Sequence, residues 1–518
     1  MKKILLLSLA ASSLLATNGV NMIGTGTVSR SMGGTGVAFF SDGSGALGKN
    51  VALIADVKDQ EFHFDITYFN ASVSTATTDY MFLNNTPANP VYYQNPGYQD
   101  SQNHLDTNFI PTISYVSKID DTWSWGATMM GAAGMGVDYK DAGGNDSIGY
   151  AQRRMKTGMM LMKIIPGLSY RTGNTTFGFA PVLGLGSMSI NYDDAQTIGG
   201  TRDPSQSSRP GLFGTNIGGE SLVPAFGWQA GMDIKVTEKL RIGTTYQSSL
   251  KYKYKDVANF KQFGPHGMVN MMNDYAGGLT ATTIKDAITE VAGNGDTTDF
   301  LTQLLQPILD GTVADSLEAT NPSNLNDLTM EQPWEVAIGF GYELTDQVTI
   351  TGDYRYIAWG LAEGYKDFGW ENQSVYAMGF EFRPNKQFRF RGGYNYADSP
   401  IKNKSGEIGS LLTDIQGSYV FDQAISMLNL TGFPAIATTH FTLGAGYDFT
   451  ENLTVDGAFM YSPETEVTRS GSLIPGATGT ISSAAGLPSF TLPAVDMNYE
   501  YKTKMQQMTL SLGINYKF

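Results

Sequence analysis

Few residues of this 518-residue sequence have the types and spacing that catalysis or metal binding requires. The four histidines are His63, His104, His266 and His440, and they show no metal-ligand spacing. A serine-type lipid hydrolase would need a Ser-His pair projecting together from a strand with a third orienting residue, and no nucleophile motif accompanies these histidines. The sequence therefore predicts a protein that is not an enzyme and that carries no metal or other cofactor.

A second stretch is similar to a nucleotide-binding motif. GSGALGKN (Gly43 to Asn50) nearly matches the phosphate-binding pattern G-x-x-x-x-G-K-[ST]. Asn50 stands where the pattern needs a hydroxyl for magnesium, and no buried strand precedes it, so we predict no nucleotide binding. The net charge of −15 also argues against nucleic acid as a partner, because no basic face is available for phosphates.

The composition favours a transmembrane β-barrel. Charged residues make up 16% and aromatic residues 12% of the chain, and the mean hydropathy is −0.18. No stretch after the first twenty residues offers the roughly 18 apolar residues of a membrane helix. In a membrane barrel, polar and apolar residues alternate along each strand, which keeps the mean hydropathy low and leaves no continuous apolar stretch. A secreted, β-rich soluble protein fits the same composition.

The first residues predict export. MKKILLLSLAASSLLA has two lysines, a short apolar segment and small residues near Ala16, which is the layout of a bacterial secretory signal. We therefore assign residues 1–16 to a signal peptide. Leu14, three residues before the predicted cleavage site, is not the small residue usual there, so the cleavage site is placed within a few residues of Ala16.

Alternating segments separated by turn residues recur from residue 60 to the end. Short polar connections alternate with long ones, as in outer-membrane barrels with brief periplasmic turns and extended outer loops. The pattern predicts a fourteen-stranded antiparallel transmembrane β-barrel over residues 60–518. The predicted strands lie near residues 60–72, 107–118, 123–138, 155–171, 174–192, 222–237, 239–257, 331–344, 347–360, 371–383, 387–398, 437–449, 452–467 and 501–518.

The last strand, MTLSLGINYKF, alternates strictly up to Phe518. We expect it to close the sheet against the first strand, because an open edge cannot persist in lipid. A terminal aromatic on such a strand resembles the assembly signal of outer-membrane proteins, so the barrel assembly machinery is a predicted partner through Phe518. The lipids and lipopolysaccharide of a Gram-negative outer membrane are the predicted surroundings of a monomer.

Residues 17–59 do not alternate and are rich in Gly and Ser. About forty compact residues ahead of a barrel are expected to fold in its lumen as a plug, or hatch, and a periplasmic tail is the alternative. The apolar candidate hatch residues are Phe39 and Phe40.

Two neighbouring strands predict a lateral opening and an apolar pocket. Three glycines in one strand (Gly131, Gly134 and Gly136) indicate a bend, or room for the plug to approach. The following strand, MKTGMMLMKIIPGLSY, is apolar on both faces, and flexible methionines suit acyl chains or rings. Contact with Phe39 and Phe40 explains this pattern equally well. The candidate pocket residues are Met129, Met130, Met135, Met160, Met162 and Ile164.

Residues 258–330 contain apolar residues at helical spacing, which predict two amphipathic helices in an outer loop. These helices would form a groove for first capture of an apolar molecule, or would simply pack together and order the loop. The candidate groove residues are Ile284, Ile288, Phe300, Leu304 and Leu305. Inward-facing charges are predicted to hold the plug rather than a carboxylate headgroup, and they are Glu335, Asp353, Arg355, Arg389 and Arg391.

Several segments in order along the chain resemble the FadL family of outer-membrane transporters for fatty acids and aromatic hydrocarbons. They include SRSMGGTGVAF (29–39), KNVALI (49–54), GATMMGAAGMGVDYKD (126–141), FGWQAGMDIKVTEKLRIGTTYQSSLKY (226–252) and RGGYNYADSP (391–400). Asn50, Val51 and Ala52 stand where the family's hatch usually has Asn-Pro-Ala, so the resemblance makes them candidate hatch residues, with valine in place of the proline. The resemblance implies a hatch, a kinked third strand and lateral passage through the wall.

The sequence thus predicts an outer-membrane protein for uptake of hydrophobic small molecules, by passive, hatch-gated lateral diffusion. Fatty acids, alkanes and aromatic hydrocarbons all fit. The alternatives are a general porin for polar solutes and a surface-loop adhesin or antigen.

Overall fold

The computed structural model describes residues 18–79, 81–83, 91–93, 99–103, 107–140, 154–193, 221–255, 328–401, 429–472, 480–481, 490–491 and 498–518. Within these ranges, fourteen long antiparallel strands follow one another around the sheet. Their bounds are β1 Gln60–Asp79, β2 Thr107–Lys118, β3 Trp123–Lys140, β4 Arg154–Thr172, β5 Thr175–Asp193, β6 Ser221–Lys235, β7 Leu240–Gln247, β8 Glu335–Thr345, β9 Val348–Ile357, β10 Gln373–Phe382, β11 Phe388–Ala397, β12 Thr439–Asp448, β13 Leu453–Ser472 and β14 Asn498–Lys517.

The sheet closes on itself between its first and last strands. β14 pairs with β1 without interruption from Lys517 opposite Glu61 to Tyr499 opposite Asp79. This closure removes the free strand edge that lipid would leave without hydrogen-bond partners. The predicted fourteen-stranded antiparallel barrel is therefore confirmed, and each predicted strand has its counterpart.

The alternation of the strands separates a polar interior from an apolar exterior. On β14, Leu510, Leu512 and Ile514 are exposed, whereas Thr509 and Ser511 are buried. An exposed apolar row on every second residue is what a barrel wall presents to lipid. Among the described residues, no helix is long and apolar enough to cross a membrane.

Short hairpins accompany the barrel strands. Leu250–Tyr254 pairs with Leu328–Gln332, Met81–Leu83 with Val91–Tyr93, and Thr480–Ile481 with Phe490–Thr491, while Gln99–Asn103 joins β1 and β3.

The hairpin Leu250–Tyr254 corrects the sequence prediction, which made one wall strand of residues 239–257. The wall strand ends at Gln247, and Ser248 Oγ accepts a hydrogen bond from Trp228 N (2.9 Å). Beyond this break the chain turns inward, and Tyr252 packs against the inner face of β5 at Gly184. Sequence alternation alone does not reveal the turn, because the hairpin itself continues to alternate.

The N-terminal segment (residues 18–59) contains helix α1 (Gly26–Ser31), helix α2 (Gly43–Lys49) and a 3₁₀ helix (Val51–Asp56). It contacts strands that lie across the barrel from one another, including β1, β4, β6 and β12. Arg30 Nη1 donates to Ser511 Oγ on β14 (3.1 Å), and Asn50 Nδ2 donates to Met232 O on β6 (3.1 Å). These contacts place the segment inside the ring of strands.

Candidate functional site

The wall of the barrel is interrupted where β3 leaves β2. Their pairing ends with Thr112 opposite Met130, and on this side β3 pairs again only at its far end, where Asn103 of the short strand Gln99–Asn103 lies opposite Tyr139. On its other side β3 stays paired with β4. From Ala132 to Tyr139 every residue of β3 is buried, so this part of the strand no longer exposes an outward row. The interruption begins next to Gly131, the first of the three glycines from which a bend is predicted.

The bend coincides with a β-bulge. Opposite β4, the pairing passes directly from Gly131 with Met162 to Ala133 with Leu161, which leaves Ala132 as the extra residue. Gly131 and Gly136 both lie where a Cβ would overlap other atoms, at Ile110 Cγ2 and Thr157 O respectively. Close packing thus accounts for these two glycines in the bent strand.

The N-terminal segment takes over the hydrogen bonds that β3 gives up. Met22 N donates to Ala132 O, and Gly134 N donates to Val20 O, both over 3.1 Å. Asn21 thereby forms an antiparallel bridge with Ala133. The interruption in the wall is backed by residues 18–22.

The bulge also decides which methionines point inward. Before it, Met129 shares the outward row with Trp125, which is 44% exposed. After it, Met135 lies opposite the inward-facing Met159, although Met129 and Met135 have the same parity in the sequence. Met130 faces inward but precedes the bend and does not line the pocket described next.

An apolar pocket lies between the bent strand and the outer connections of the barrel. The space between the atoms that line it, including the part open to solvent, is ≈ 320 Å³. Its lining is apolar apart from the Tyr365 hydroxyl, which is 3.4 Å from Met159 Sδ, and the side chain of Asn429. The lining residues are Met135, Met159, Met188, Leu328, Met330, Tyr365, Phe368, Trp370, Asn429 and Phe433.

Three of the predicted pocket residues are elsewhere. Met160, Met162 and Ile164 share the outward row of β4 with exposed Leu168 and Tyr170. The inward row of the same strand carries Met159, Leu161 and Lys163 instead. The prediction chose the wrong face because this strand is apolar on both sides, so the alternation does not tell inside from outside.

The aromatic side of the pocket was not predicted. Trp359, Tyr365 and Trp370 belong to the connection between β9 and β10, and their ring centroids are 4.6 to 5.0 Å apart. Gly19 of the N-terminal segment lies against the Trp359 indole, at φ +68°. The only sequence signal was the density of aromatic residues in this connection, because an irregular segment has no periodicity.

Asn50, Val51 and Ala52 form a turn against the wall. Asn50 Oδ1 accepts from Ala52 N (3.1 Å) and caps the 3₁₀ helix, while its Nδ2 donates to Val37 O (2.7 Å). Val51 is the first residue of that helix, a position that tolerates proline because its N–H is not needed. Either valine or proline therefore fits at this position of the turn.

The remaining predicted hatch residues have different surroundings. Phe40 packs against the buried apolar cluster, and the Phe39 Cβ lies close to Gly341 of β8. Neither ring lines the apolar pocket, although the cluster against which Phe40 packs includes Met135 and Met159. The predicted capture groove (Ile284, Ile288, Phe300, Leu304 and Leu305) and the predicted signal peptide lie outside the described residues.

The nucleotide-like motif forms helix α2. Asp42 occupies its N-cap, and Asp42 Oδ1 accepts a hydrogen bond from Gly45 N (2.7 Å). A carboxylate is thus present at the end of the helix where a phosphate would have to bind, which agrees with the prediction that no nucleotide binds here.

Charged residues at the inner wall are mostly paired. Arg389 binds Asp448 through two bonds of 2.5 and 2.6 Å, and Arg391 binds Glu381 and Asp456 at 2.6 Å each. Asp353 Oδ2 accepts from Gly36 N (2.8 Å) and Val37 N (3.1 Å) of the N-terminal segment. Asp56 of the same segment pairs with Arg171 and Arg241.

The histidines that the structure describes do not form a catalytic arrangement. His63 Nε2 lies 3.3 Å from Asp65 Oδ2, and His440 Nε2 lies 3.2 Å from Gln507 Oε1. Neither ring is hydrogen-bonded to a serine, and no group of three His, Cys, Asp or Glu residues within the described ranges could hold a metal ion.

The sequence model of the outer membrane protein transport protein family (OMPP1/FadL/TodX) matches residues 6–409. The chain belongs to this family. Outer membrane protein P1 of Haemophilus influenzae is 22% identical over 485 residues, which cover 89% of this chain and 90% of that protein. The long-chain fatty acid transport protein of Escherichia coli O6:H1 is 22% identical over 399 residues, or 71% and 74% of the two chains.

Solved structures of OMPP1/FadL/TodX relatives share the fold. A FadL homologue from Pseudomonas aeruginosa has a TM-score of 0.55 at 15% identity, covering 98% of this chain and all (100%) of that chain. The toluene transporter TodX of P. putida has a TM-score of 0.56 at 15% identity, covering 96% and 99%. The protein is thus an outer-membrane transport protein with the barrel of this family.

Proposed function

We propose that this protein takes up hydrophobic small molecules, and that they leave the barrel sideways through its wall. The observation that carries the proposal is the separation of β3 from β2 beyond Met130, with the N-terminal segment behind it. An apolar molecule that passes through such an interruption enters the bilayer directly. It never has to cross the water of the periplasm.

The apolar pocket supports the same proposal. Met135 lies in the bent part of β3 and lines the pocket, so the pocket adjoins the interruption in the wall. Methionine side chains have several rotatable bonds and a polarisable sulfur, so they adapt to ligands of different shape. Each methylene group that is removed from water contributes about 0.8 kcal/mol to the free energy of binding, so the few groups of a small hydrocarbon suffice for reversible binding.

In this proposal residues 18–22 are the moving part of a hatch. They hold the bent strand through two backbone hydrogen bonds, to Ala132 and Gly134. Two such bonds contribute only about 1–3 kcal/mol in total to the stability of the closed hatch, so ligand binding in the pocket can break them. The names of two relatives, a long-chain fatty acid transport protein and a toluene transporter, agree with a hydrophobic substrate.

A reversible disulfide tests this mechanism, because the chain has no cysteine of its own. Asn21 and Ala133 form a non-hydrogen-bonded antiparallel pair, whose Cα atoms are about 4.5 Å apart and within disulfide range. We expect Asn21→Cys with Ala133→Cys to stop uptake of oleate and toluene when oxidised, and to recover it when reduced.

Val467→Cys with Thr503→Cys is the matched control. These residues face each other on β13 and β14, so their disulfide links two wall strands and leaves the N-terminal segment free. Oxidation of this pair should leave uptake unchanged. Unchanged uptake in the oxidised Asn21–Ala133 variant would rule out movement of residues 18–22.

A further inference from the structure

Tyr365 is a polar residue of the apolar pocket that lacks a strong hydrogen-bond partner. Its side chain is 2% exposed. Within the part of the chain that the structure describes, its hydroxyl donates only to Met159 Sδ, over 3.4 Å. A thioether sulfur is a weak acceptor, whereas buried tyrosine hydroxyls normally find a strong one. The hydroxyl of Tyr365 therefore retains most of its capacity to donate to an oxygen atom.

The other polar side chains of the lining are bonded to strong partners. Trp370 Nε1 donates to Asn429 Oδ1 (2.7 Å), and Asn429 Nδ2 donates to Phe368 O (2.9 Å). These bonds join the indole and the amide to each other and to the connection between β9 and β10. Among the described lining residues, Tyr365 is thus the one whose donor has no strong acceptor.

The surroundings of Tyr365 fix the position of its ring. The ring centroid lies 4.6 Å from that of Trp359 and 4.7 Å from that of Trp370. Gly364 has φ +84°, and a Cβ there would lie 2.5 Å from Met330 Sδ, so the backbone beside Tyr365 closely approaches the lining. Because the hydroxyl is held in place before a ligand arrives, binding does not have to order it.

The pocket suits an uncharged acceptor rather than an ion. Its described lining contains no Lys, Arg, His, Asp or Glu residue. A charged group would lose its water here without gaining a counter-ion, which is costly. Burial raises the pKa of Tyr365 above its ordinary value of 10.0, so its hydroxyl remains protonated and able to donate.

Two neighbouring tyrosines provide a contrast. Tyr252 and Tyr254 lie directly opposite Met330 and Leu328, which line the pocket. Their hydroxyls are buried and have no hydrogen-bond partner among the described residues, but neither residue lines the pocket. The Tyr252 hydroxyl lies against the wall instead, only 2.2 Å from where a Cβ of Gly184 would be. It faces β5 rather than a ligand in the pocket.

We propose that Tyr365 makes the pocket selective for hydrophobic molecules with one uncharged oxygen acceptor, such as a ketone or an ester. Its hydroxyl exchanges Met159 Sδ for the oxygen of the ligand, and the flexible methionine moves aside to pack against the ligand. The inference rests on the proposed uptake of hydrophobic molecules and narrows its substrate class. A plain hydrocarbon also fits the pocket, but it leaves Tyr365 bonded to sulfur.

Two probes of nearly the same shape test the proposal. Acetophenone and ethylbenzene share the ring and a two-carbon side chain, and a carbonyl group in one replaces a methylene group in the other. The full chain in nanodiscs is titrated with each, and probe bound to protein-free nanodiscs is subtracted. Tyr365→Phe should weaken acetophenone binding about two- to tenfold, as expected for one neutral hydrogen bond, and leave ethylbenzene binding unchanged. Equal changes for both probes would overturn the assignment.

The carbonyl stretching band of bound acetophenone reports the hydrogen bond directly. A hydrogen bond weakens the C=O bond, so the band should lie at lower wavenumber in the unaltered protein than in Tyr365→Phe. A merely structural role of Tyr365 would not move this band. The same band position in both proteins would contradict the proposed contact even if the affinities differed.

Tyr252→Phe is the matched control, because it removes a buried hydroxyl beside the pocket that does not line it. Both affinities and the carbonyl band should stay as in the unaltered protein. Heat-dependent migration in gels verifies the folded barrel in each variant. A band shift in Tyr252→Phe as large as that in Tyr365→Phe would overturn the assignment to Tyr365.

The outcomes separate this inference from the proposed function. Failure of both probes to bind the unaltered protein would contradict the proposed function, and the acceptor site with it. Binding of both probes with no effect of Tyr365→Phe on either would leave the proposed function intact and overturn only the role of Tyr365.

Discussion

At the residue scale, the fit of the N-terminal segment depends on wall positions without a side chain. A Cβ at Gly231 would lie 1.9 Å from Asn50 Oδ1, and one at Gly243 would lie 2.1 Å from Val37 O. A Cβ at Gly178 would lie 2.2 Å from Ala52 N. The backbone and the cap of the 3₁₀ helix therefore contact the wall directly, and this explains glycines that interrupt otherwise regular strands.

Gly231→Ala should loosen the segment while the barrel still forms. The added methyl group would displace the Asn50 side chain, at a cost of about 1–3 kcal/mol for an overpacked site. We expect higher ion conductance in planar bilayers than for the unaltered protein. Gly457→Ala is the control, because its Cβ would meet only atoms at 4.0 Å. Identical conductance of the two variants would contradict this role for Gly231.

At the element scale, one extra residue changes which side chains of β3 face inward from that point of the strand onward. The bulge at Ala132 reverses the inward and outward rows of β3, which brings Met135 to the inside. It also coincides with the end of the pairing between β2 and β3. The two consequences belong together, since a bulged strand bends and loses its regular partner.

Deletion of Ala132 should therefore restore a continuous wall. Met135 would point outward, β3 would continue along β2, and uptake of hydrophobic probes should fall to the level of cells without the protein. Heat-dependent gel migration should still report a folded barrel. Ala132→Ser keeps the residue count and should keep uptake. Normal uptake after the deletion would mean that the bend is not the exit.

At the scale of the whole molecule, the proposed function makes permeability depend on the closed barrel and on the segment within it. The inward rows of the fourteen described strands carry polar residues such as Thr509 and Ser511 as well as methionines, and residues 18–59 pack against them and are largely buried. The porin alternative requires an open polar channel. The proposal therefore predicts that the segment keeps such a channel closed.

Removal of residues 18–59 should turn the protein into a polar pore. Liposomes with the complete protein should swell slowly in sugar solutions, and those with the shortened protein should swell several-fold faster. A circular dichroism spectrum controls for loss of the barrel. Fast swelling with the complete protein would favour the porin alternative instead.

The barrel, its strand number and its closure could all be predicted from the order of residues along the chain. Apolar and polar residues alternate with a period of two wherever one face of a strand meets lipid. This pattern can be recognised in segments such as residues 508–518 without any knowledge of contacts. The glycines of β3 likewise indicated a bend, because glycine weakens regular pairing. The turn at Asn50 was found through the family resemblance.

The methionines that line the pocket could be identified only from the folded arrangement of the strands. Taking every second residue of β4 as inward-facing led to the prediction of Met160, Met162 and Ile164, but β4 is apolar on both faces. On β3, the bulge at Ala132 exchanges the inward and outward residues that follow it. The pocket brings methionines of β3, β4 and β5 together with aromatic residues of the connection between β9 and β10, which are far apart in the sequence. Such groups meet through closure of the barrel around its N-terminal segment, and no local pattern in the chain records that.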